Sequence, residues 1–276
     1  MSAVLEHLEG RTIRLTNLDR VMYPQLGTTK GQIIDYYEAV GASLVEQAKG
    51  RPVTRIRFPH GVGEPSFFEK NAPFDLPDWI PTKTISAIRY PELDEVAAVV
   101  WMAQSNAIEL HTPQWHGDGL LDRLVIDLDP GPGSGLPQCC AVALLVADYL
   151  RADGMKPAAV TSGRNGLQVY ATFDEPIEPW AVVNYSRVMA VDLAEARPDL
   201  IGATLSPSPH ERRVFIDWTR NHPAKTTVTP YSLRGGDLPY AATPVTWDEV
   251  REGLTEQFLF TETMSRLRRL GDLLAA

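Results

Sequence analysis

Leu124-Val-Ile-Asp-Leu-Asp-Pro-Gly-Pro-Gly133 is an apolar run that carries two acids and stops at a Pro-Gly turn. Read as a strand, its period of two sets Asp127 and Asp129 on one face and points Ile126 and Leu128 toward a core. Two carboxylates a few ångströms apart repel, which raises one pKa, and a divalent cation relieves the repulsion. The same residues equally suit a buried strand that ends in a solvated Asp-Pro turn. The stretch alone leaves both readings open.

Working outward, Ala107–Thr112 alternates as a strand, with Glu109 and His111 on one face and Ile108 and Leu110 on the other. His111 is read there as either a core histidine or a site residue. A loop through Trp115 and His116 feeds the acidic strand. Beyond it, residues 137–152 predict a helix, buried because residues 141–146 are apolar all round. Strands are expected at 158–161 and 167–173, joined by Ser162-Gly-Arg-Asn-Gly166. That turn can expose backbone N–H groups and a hydroxyl to an anion, although a plain turn is the commoner meaning. A helix over 180–196 precedes a strand at 213–218, where Arg213, Phe215 and Asp217 share a face. Residues 226–233 read as one more strand, ending at Arg234 and a glycine pair. The tail carries a segment at 247–253 and a helix near 262–274.

In the first half, residues 1–10 are expected to be a flexible lead-in. A strand follows at 11–15. Thr28 or Thr29 caps a helix over 30–48, with Ile33, Ile34, Tyr37, Val40, Leu44 and Val45 inward. Residues 52–58 form a strand with Arg55 and Arg57 on one face. The pair Phe67-Phe68 is either a core anchor or a stacking platform, and residue type alone favours the core. A helix is expected over 93–105. Mixed helices and short strands with hairpin signals predict an α+β fold, with mixed or antiparallel sheets flanked by helices and one domain over 11–276.

Composition narrows the function. Hydrophobic content of 44% and charged content of 22% are those of an ordinary globular protein. No apolar run approaches the roughly 18 residues of a membrane span, and no signal peptide opens the chain. Cys139 and Cys140 are sequence neighbours, which suggests neither a disulfide framework nor a zinc site and fits a cytoplasmic protein. A net charge of −9 argues against indiscriminate coating of nucleic acid. Even so, Arg20, Lys30, Arg55 and Arg57 concentrate positive charge near the start. Asp127, Asp129 and Asp217, each near a strand end, suit two Mg²⁺ or Mn²⁺ ions in phosphoryl chemistry. Walker, GxSxG, HExxH and GxGxxG patterns are all absent.

In order, the chain carries Leu15-Thr-Asn17, Gly27-Thr-Thr-Lys30, Phe67-Phe-Glu-Lys70, His111-Thr-Pro-Gln-Trp115, the acidic strand and Thr161-Ser-Gly163. Val214-Phe-Ile-Asp-Trp218, Lys225-Thr-Thr and Pro230-Tyr-Ser-Leu-Arg-Gly235 complete the set. Over residues 10–275 this resembles the polymerase domain of bacterial ligase D, in the archaeo-eukaryotic primase superfamily, here without a ligase or nuclease module. The resemblance implies a primase-polymerase fold and a template-dependent nucleotidyltransferase that extends or gap-fills DNA ends in double-strand-break repair. It implies a catalytic metal triad of Asp127, Asp129 and Asp217, and NTP or dNTP as substrate. Nucleotide contacts are implied at His111, Ser162, Arg164, Asn165, Gln168, Arg213 and Arg234. DNA contacts fall at Asn17, Arg20, Lys30, Arg57, Phe67 and Phe68, with Asn17, Arg20 and Lys30 forming the pocket for a downstream 5′-phosphate. A DNA ligase, a DNA-end-binding protein and a nucleoid-associated location are the implied context.

Several positions depart from the family. It commonly has Lys at the positions of Ile56 and Asn165, His at Gln168, Arg at His210 and Lys at Arg20, and a longer loop after Trp115. Arg164 and Arg213 are the nearby cations that partly substitute. The departures motivate an alternative: a DNA-end-binding module whose nucleotide pocket has degenerated.

Overall fold

The computed structural model describes residues 3–202 and 212–275. The chain builds two compact units. One comprises residues 1–112, 228–242 and 259–271; the other comprises 113–227, 243–258 and 272–276. The chain passes between them at several points without a Pro- or Ser-rich linker, so composition carries no sign of the division.

The second unit is built on a six-stranded sheet. Its order is Ile201–Gly202, Val214–Asp217, Leu121–Pro130, Leu167–Ile177, Pro157–Thr161 and Thr243–Val245. All neighbours are antiparallel except the first pair, which is parallel. Leu124, Ile126 and Leu128 of the acidic strand are fully buried. They share a core with Cys139, Val142, Ala143, Val146 and Leu150 of the helix Leu136–Ala152. That helix starts at Gly135, whose N–H donates to Gln138 Oε1 at 2.8 Å. The hairpin between Pro157–Thr161 and Leu167–Ile177 runs against the acidic strand. A Cβ on Gly166 would lie 2.1 Å from the Leu128 carbonyl oxygen, so only glycine fits there.

The first unit holds the helix Lys30–Ala48, which begins in a capping box. The Thr29 N–H donates to Gln32 Oε1 at 2.9 Å, and the Gln32 N–H donates back to Thr29 Oγ1 at 3.4 Å. Its buried stripe is the predicted one with Lys30, Tyr36, Gly41 and Ala48 added. A Cβ on Gly41 would lie 2.5 Å from Val96 Cγ1 at the start of the helix Val96–Gln104, so the two helices pack closely there. Thr54–Arg57 pairs antiparallel with Phe67–Glu69 on one side and Ala107–Thr112 on the other.

The lead-in is a correction. Ala3–Leu8 is a strand paired along its length with Arg11–Thr16, turning at Glu9 and Gly10 with φ of 52° and 78°. Two central residues at positive φ match the twist of a hairpin. The last predicted strand is also shorter than expected. Only Thr227–Val228 is extended, and Tyr231 at φ 69° turns the chain before Arg234.

Candidate functional site

In the second unit, strand register assembles the acids. Asp217 lies directly opposite Asp127 on one side, and Gln168 lies directly opposite it on the other. Cross-strand partners share a face, and Asp129 returns to that face two residues on. One carboxylate oxygen from each of Asp127, Asp129 and Asp217 lies within 4.8 Å of the others. Gln168 Nε2 donates to Asp127 Oδ1 at 3.1 Å, and the Tyr170 hydroxyl donates to Gln168 Oε1 at 2.9 Å, which fixes the amide. Asp217 Oδ1 accepts the Thr219 N–H at 3.0 Å and so caps the 3-10 turn Trp218–Asn221. Asn221 pins that turn to the acidic strand, accepting the Val125 N–H at 2.8 Å and donating to its carbonyl at 2.7 Å.

The turn also brings in Arg220, which sequence reasoning missed. Its Nε lies 3.1 Å from Asp127 Oδ2 and 2.9 Å from Asp217 Oδ2. Burial and then the Asp129 charge push the Asp127 carboxyl up to about 7, against the pull of Arg220 and Gln168. Burial opposes the guanidinium charge, but the Asp127 and Asp217 charges outweigh it and raise its pKa. A set of carboxylates with no sulfur or imidazole among them fits a hard divalent cation. The raised Asp127 pKa reflects the burial and repulsion that such a cation relieves.

Ser162 to Gly166 does not present the amides expected of an anion cradle. Ser162 Oγ accepts the N–H groups of Arg164 at 3.3 Å and Gly166 at 3.1 Å, and the Ser162 N–H donates to the Gly166 carbonyl at 3.0 Å. The buried Gln257 closes the turn, accepting the Gly163 N–H at 2.8 Å and donating to the Gly166 carbonyl at 3.1 Å. The side chains of Arg164 and Asn165 are exposed at the turn. Gln257→Ala leaves the buried Gly163 N–H without its partner and the Gly166 carbonyl with the Ser162 N–H alone, at about 1–3 kcal/mol. Loss of hydrogen-exchange protection at the Gly163 amide is the expected result; unchanged protection would show that Gln257 does not hold the turn. The Arg213 carbonyl accepts the Gly131 N–H at 2.9 Å and the Ser134 hydroxyl at 3.0 Å. His210 lies outside the described residues.

In the first unit, Glu109 gathers His111 and Arg234. Glu109 is 1% exposed. Its Oε2 lies 2.9 Å from His111 Nε2 and 3.3 Å from Arg234 Nε, and its Oε1 accepts the Gly235 N–H at 2.8 Å. Burial alone would raise its pKa, but the His111 hydrogen bond and the Arg234 charge hold it down to about 2. Gly235 is obligatory, since a Cβ there would lie 1.9 Å from Phe58 Cζ. Ile56 lies opposite Glu109 and extends the same face. Glu109→Ala would strand Arg234 without its buried counter-charge. It is expected to reduce the unfolding free energy by about 3 kcal/mol, read from urea denaturation.

Phe67 and Phe68 are 53% and 58% exposed, so the core reading fails for both. As strand neighbours they take opposite faces, Phe68 across from Ile56 and Phe67 across from Arg57. Arg57 donates to the Ser105 carbonyl at 2.9 Å and lies 3.2 Å from Glu69 Oε1, so internal partners already hold this predicted DNA contact.

Asn17, Arg20 and Lys30 are drawn together by backbone bonds. The Arg20 N–H donates to the Asn17 carbonyl at 3.0 Å, and the Lys30 N–H donates to the Arg20 carbonyl at 2.8 Å. Asn17 sits at φ 57°, which lets the loop fold onto the helix start. Arg20 Nη1 donates to the Pro59 carbonyl at 2.6 Å. Lys30 is 2% exposed, and burial followed by the Arg20 charge lowers its pKa to about 8.

The family profile described as "LigD, primase-polymerase domain" matches residues 29–274. The multifunctional non-homologous end joining protein LigD of Mycolicibacterium smegmatis is 40% identical over 271 residues, covering 95% of this chain and 36% of the relative. The bifunctional non-homologous end joining protein LigD of Bacillus subtilis is 27% identical over 266 residues, covering 94% and 43%. The polymerase domain of Mycobacterium tuberculosis ligase D, in complex with DNA, matches with a TM-score of 0.92 at 39% identity, covering 95% of this chain and 96% of that one. The chain thus spans 36% and 43% of the length of these two full-length relatives.

Proposed function

Because the chain belongs to the LigD primase-polymerase domain family, we propose that it is a template-dependent nucleotidyltransferase that extends or fills DNA ends during break repair by non-homologous end joining. The observation that carries this is the approach of Asp127, Asp129 and Asp217 within 4.8 Å on adjacent strands. Those carboxylates would hold Mg²⁺ or Mn²⁺. Such ions supply the charge that activates a primer hydroxyl and steadies the leaving oxygens. Gln168, locked by Tyr170, orients Asp127, and the substrate is a nucleoside triphosphate.

His111 and Arg234 contact the nucleotide, each held by Glu109 in the geometry described. A guanidinium suits phosphate because it offers a planar fork of donors. Ser162 contacts the nucleotide phosphate through its hydroxyl, and Arg164 and Arg213 supply cations where the family has lysine and arginine nearby. Phe67 and Phe68, exposed on opposite faces, stack on DNA bases, each stack contributing about 1–3 kcal/mol whatever the base. Asn17, Arg20 and Lys30 hold the 5′-phosphate of the downstream strand. A DNA ligase and a DNA-end-binding protein are the partners this role needs. Among the described residues no helix is long and apolar enough to cross a membrane.

The assembled carboxylates weigh against a decayed end-binding module, for which nothing would keep three acids together. Primer extension on gapped DNA, with rNTPs or dNTPs and with or without the 5′-phosphate, tests the proposal. Mn²⁺- or Mg²⁺-dependent extension is expected. Tight binding with no extension at high NTP and Mn²⁺ would overturn it.

A further inference from the structure

The carboxylate oxygens of Asp127 and Asp217 divide between neutral donors and Arg220. Gln168 holds Asp127 Oδ1, and the Thr219 N–H holds Asp217 Oδ1. The other two oxygens, Oδ2 of each residue, both face Arg220 Nε at 3.1 and 2.9 Å. These are the oxygens that neutral donors leave for a metal. The Nε group is buried and meets no strict hydrogen-bond geometry, and the charges of Asp127 and then Asp217 dominate its attraction to the site. The Arg220 side chain is also 32% exposed and stands on a short 3-10 turn, which gives it a route outward.

We infer that Arg220 is a resident counter-cation of the carboxylate site, which a divalent ion must displace from Asp127 and Asp217 in order to bind. This rests on the reading of the three acids as a metal site and goes beyond it. Two consequences follow from the geometry. The nucleotide-free protein holds divalent ions weakly, because each ion must first break the contacts of a guanidinium with two carboxylates. An anionic triphosphate that engages the released guanidinium favours the metal-bound state, so metal and nucleotide bind cooperatively.

The test is Mn²⁺ titration of the nucleotide-free protein, with free Mn²⁺ followed by its electron paramagnetic resonance signal. Arg220→Gln is expected to bind Mn²⁺ at least about tenfold more tightly than wild type, the scale of a lost contact between charged groups. Arg220→Lys, which keeps the charge, should stay near wild type. Addition of a triphosphate should tighten Mn²⁺ binding more in wild type than in Arg220→Gln. Melting supplies a second measurement: Arg220→Gln should melt below wild type in chelator and gain more from added Mn²⁺. Equal or weaker Mn²⁺ affinity in Arg220→Gln, or equal melting gains, overturns the inference. If that result accompanies Mn²⁺-dependent primer extension by wild type, the metal-site reading stands and the inference alone falls. If neither protein takes up Mn²⁺ and wild type extends nothing, both fall.

Discussion

Replacing Asp127 and Asp129 together by alanine is expected to reduce primer extension by at least about 10³-fold, some 4 kcal/mol of barrier, while the chain stays folded. The fold is insensitive because the acidic strand is anchored by Leu124, Ile126 and Leu128 against the helix Leu136–Ala152. The acids contribute no apolar packing to that core. Undiminished extension by the double variant would sink the two-metal proposal. The single variant Asp127→Asn separates catalysis from stability. Asp127 has a folded-state pKa of about 7, above the ordinary carboxylate value of 3.8. Between those values the folded protein holds a proton that the unfolded chain has released. Stability therefore falls as pH rises through this window, and the loss is complete above about pH 7. Metal-free Asp127→Asn lacks this term and should melt above wild type at pH 8, by about 5 °C, with the gap closing toward pH 4. Calorimetry in chelator checks it. The acid proposed to hold the metal is one that the metal-free fold keeps at a disadvantage.

The parts of the site legible in the sequence were those written in strand period. Asp127, Asp129 and Asp217 each punctuate an apolar alternation, and antiparallel register then places Asp217 opposite Asp127 without further information. The helix Lys30–Ala48 was legible to its ends because Thr29 and Gln32 cap it and its apolar stripe is unbroken. Arg220 was not legible. It lies three residues past Asp217 on a 3-10 turn, where no periodicity marks a face. Glu109 was seen to share a face with His111, but its tie to Arg234 is tertiary. The hairpin strands Ala3–Leu8 and Thr82–Ile85 were missed for one shared reason. Their turns place Glu9 and, in the second case, Ser86 and Ala87 at positive φ, where Gly or Asn is the usual signal. Phe67 and Phe68 misled because a short edge strand buries neither ring.

Lys30→Gln is expected to remove most of the preference for a 5′-phosphorylated gap over a 5′-hydroxyl gap, a loss of roughly tenfold to a hundredfold in affinity. The argument rests on where the amine sits. It is almost wholly buried beside a second cation, Arg20, and those two effects lower its pKa to about 8. A terminal phosphate is largely dianionic above its second pKa of about 6, so it supplies the charge this pair lacks. Binding then favours the protonated amine and raises its pKa in the complex. Affinity for the phosphorylated end should be level from about pH 7 to 8. Above that it should fall by up to about tenfold per unit until the higher pKa of the complex is reached. Lys30→Arg keeps its charge throughout this range and should show no such decline. Fluorescence anisotropy on matched phosphorylated and hydroxyl gaps reads both effects. A Lys30→Gln protein that still prefers the phosphorylated gap as strongly as wild type would move the end-recognition site elsewhere. A flat wild-type profile to pH 9.5 would show that the buried amine is not the group that reads the phosphate.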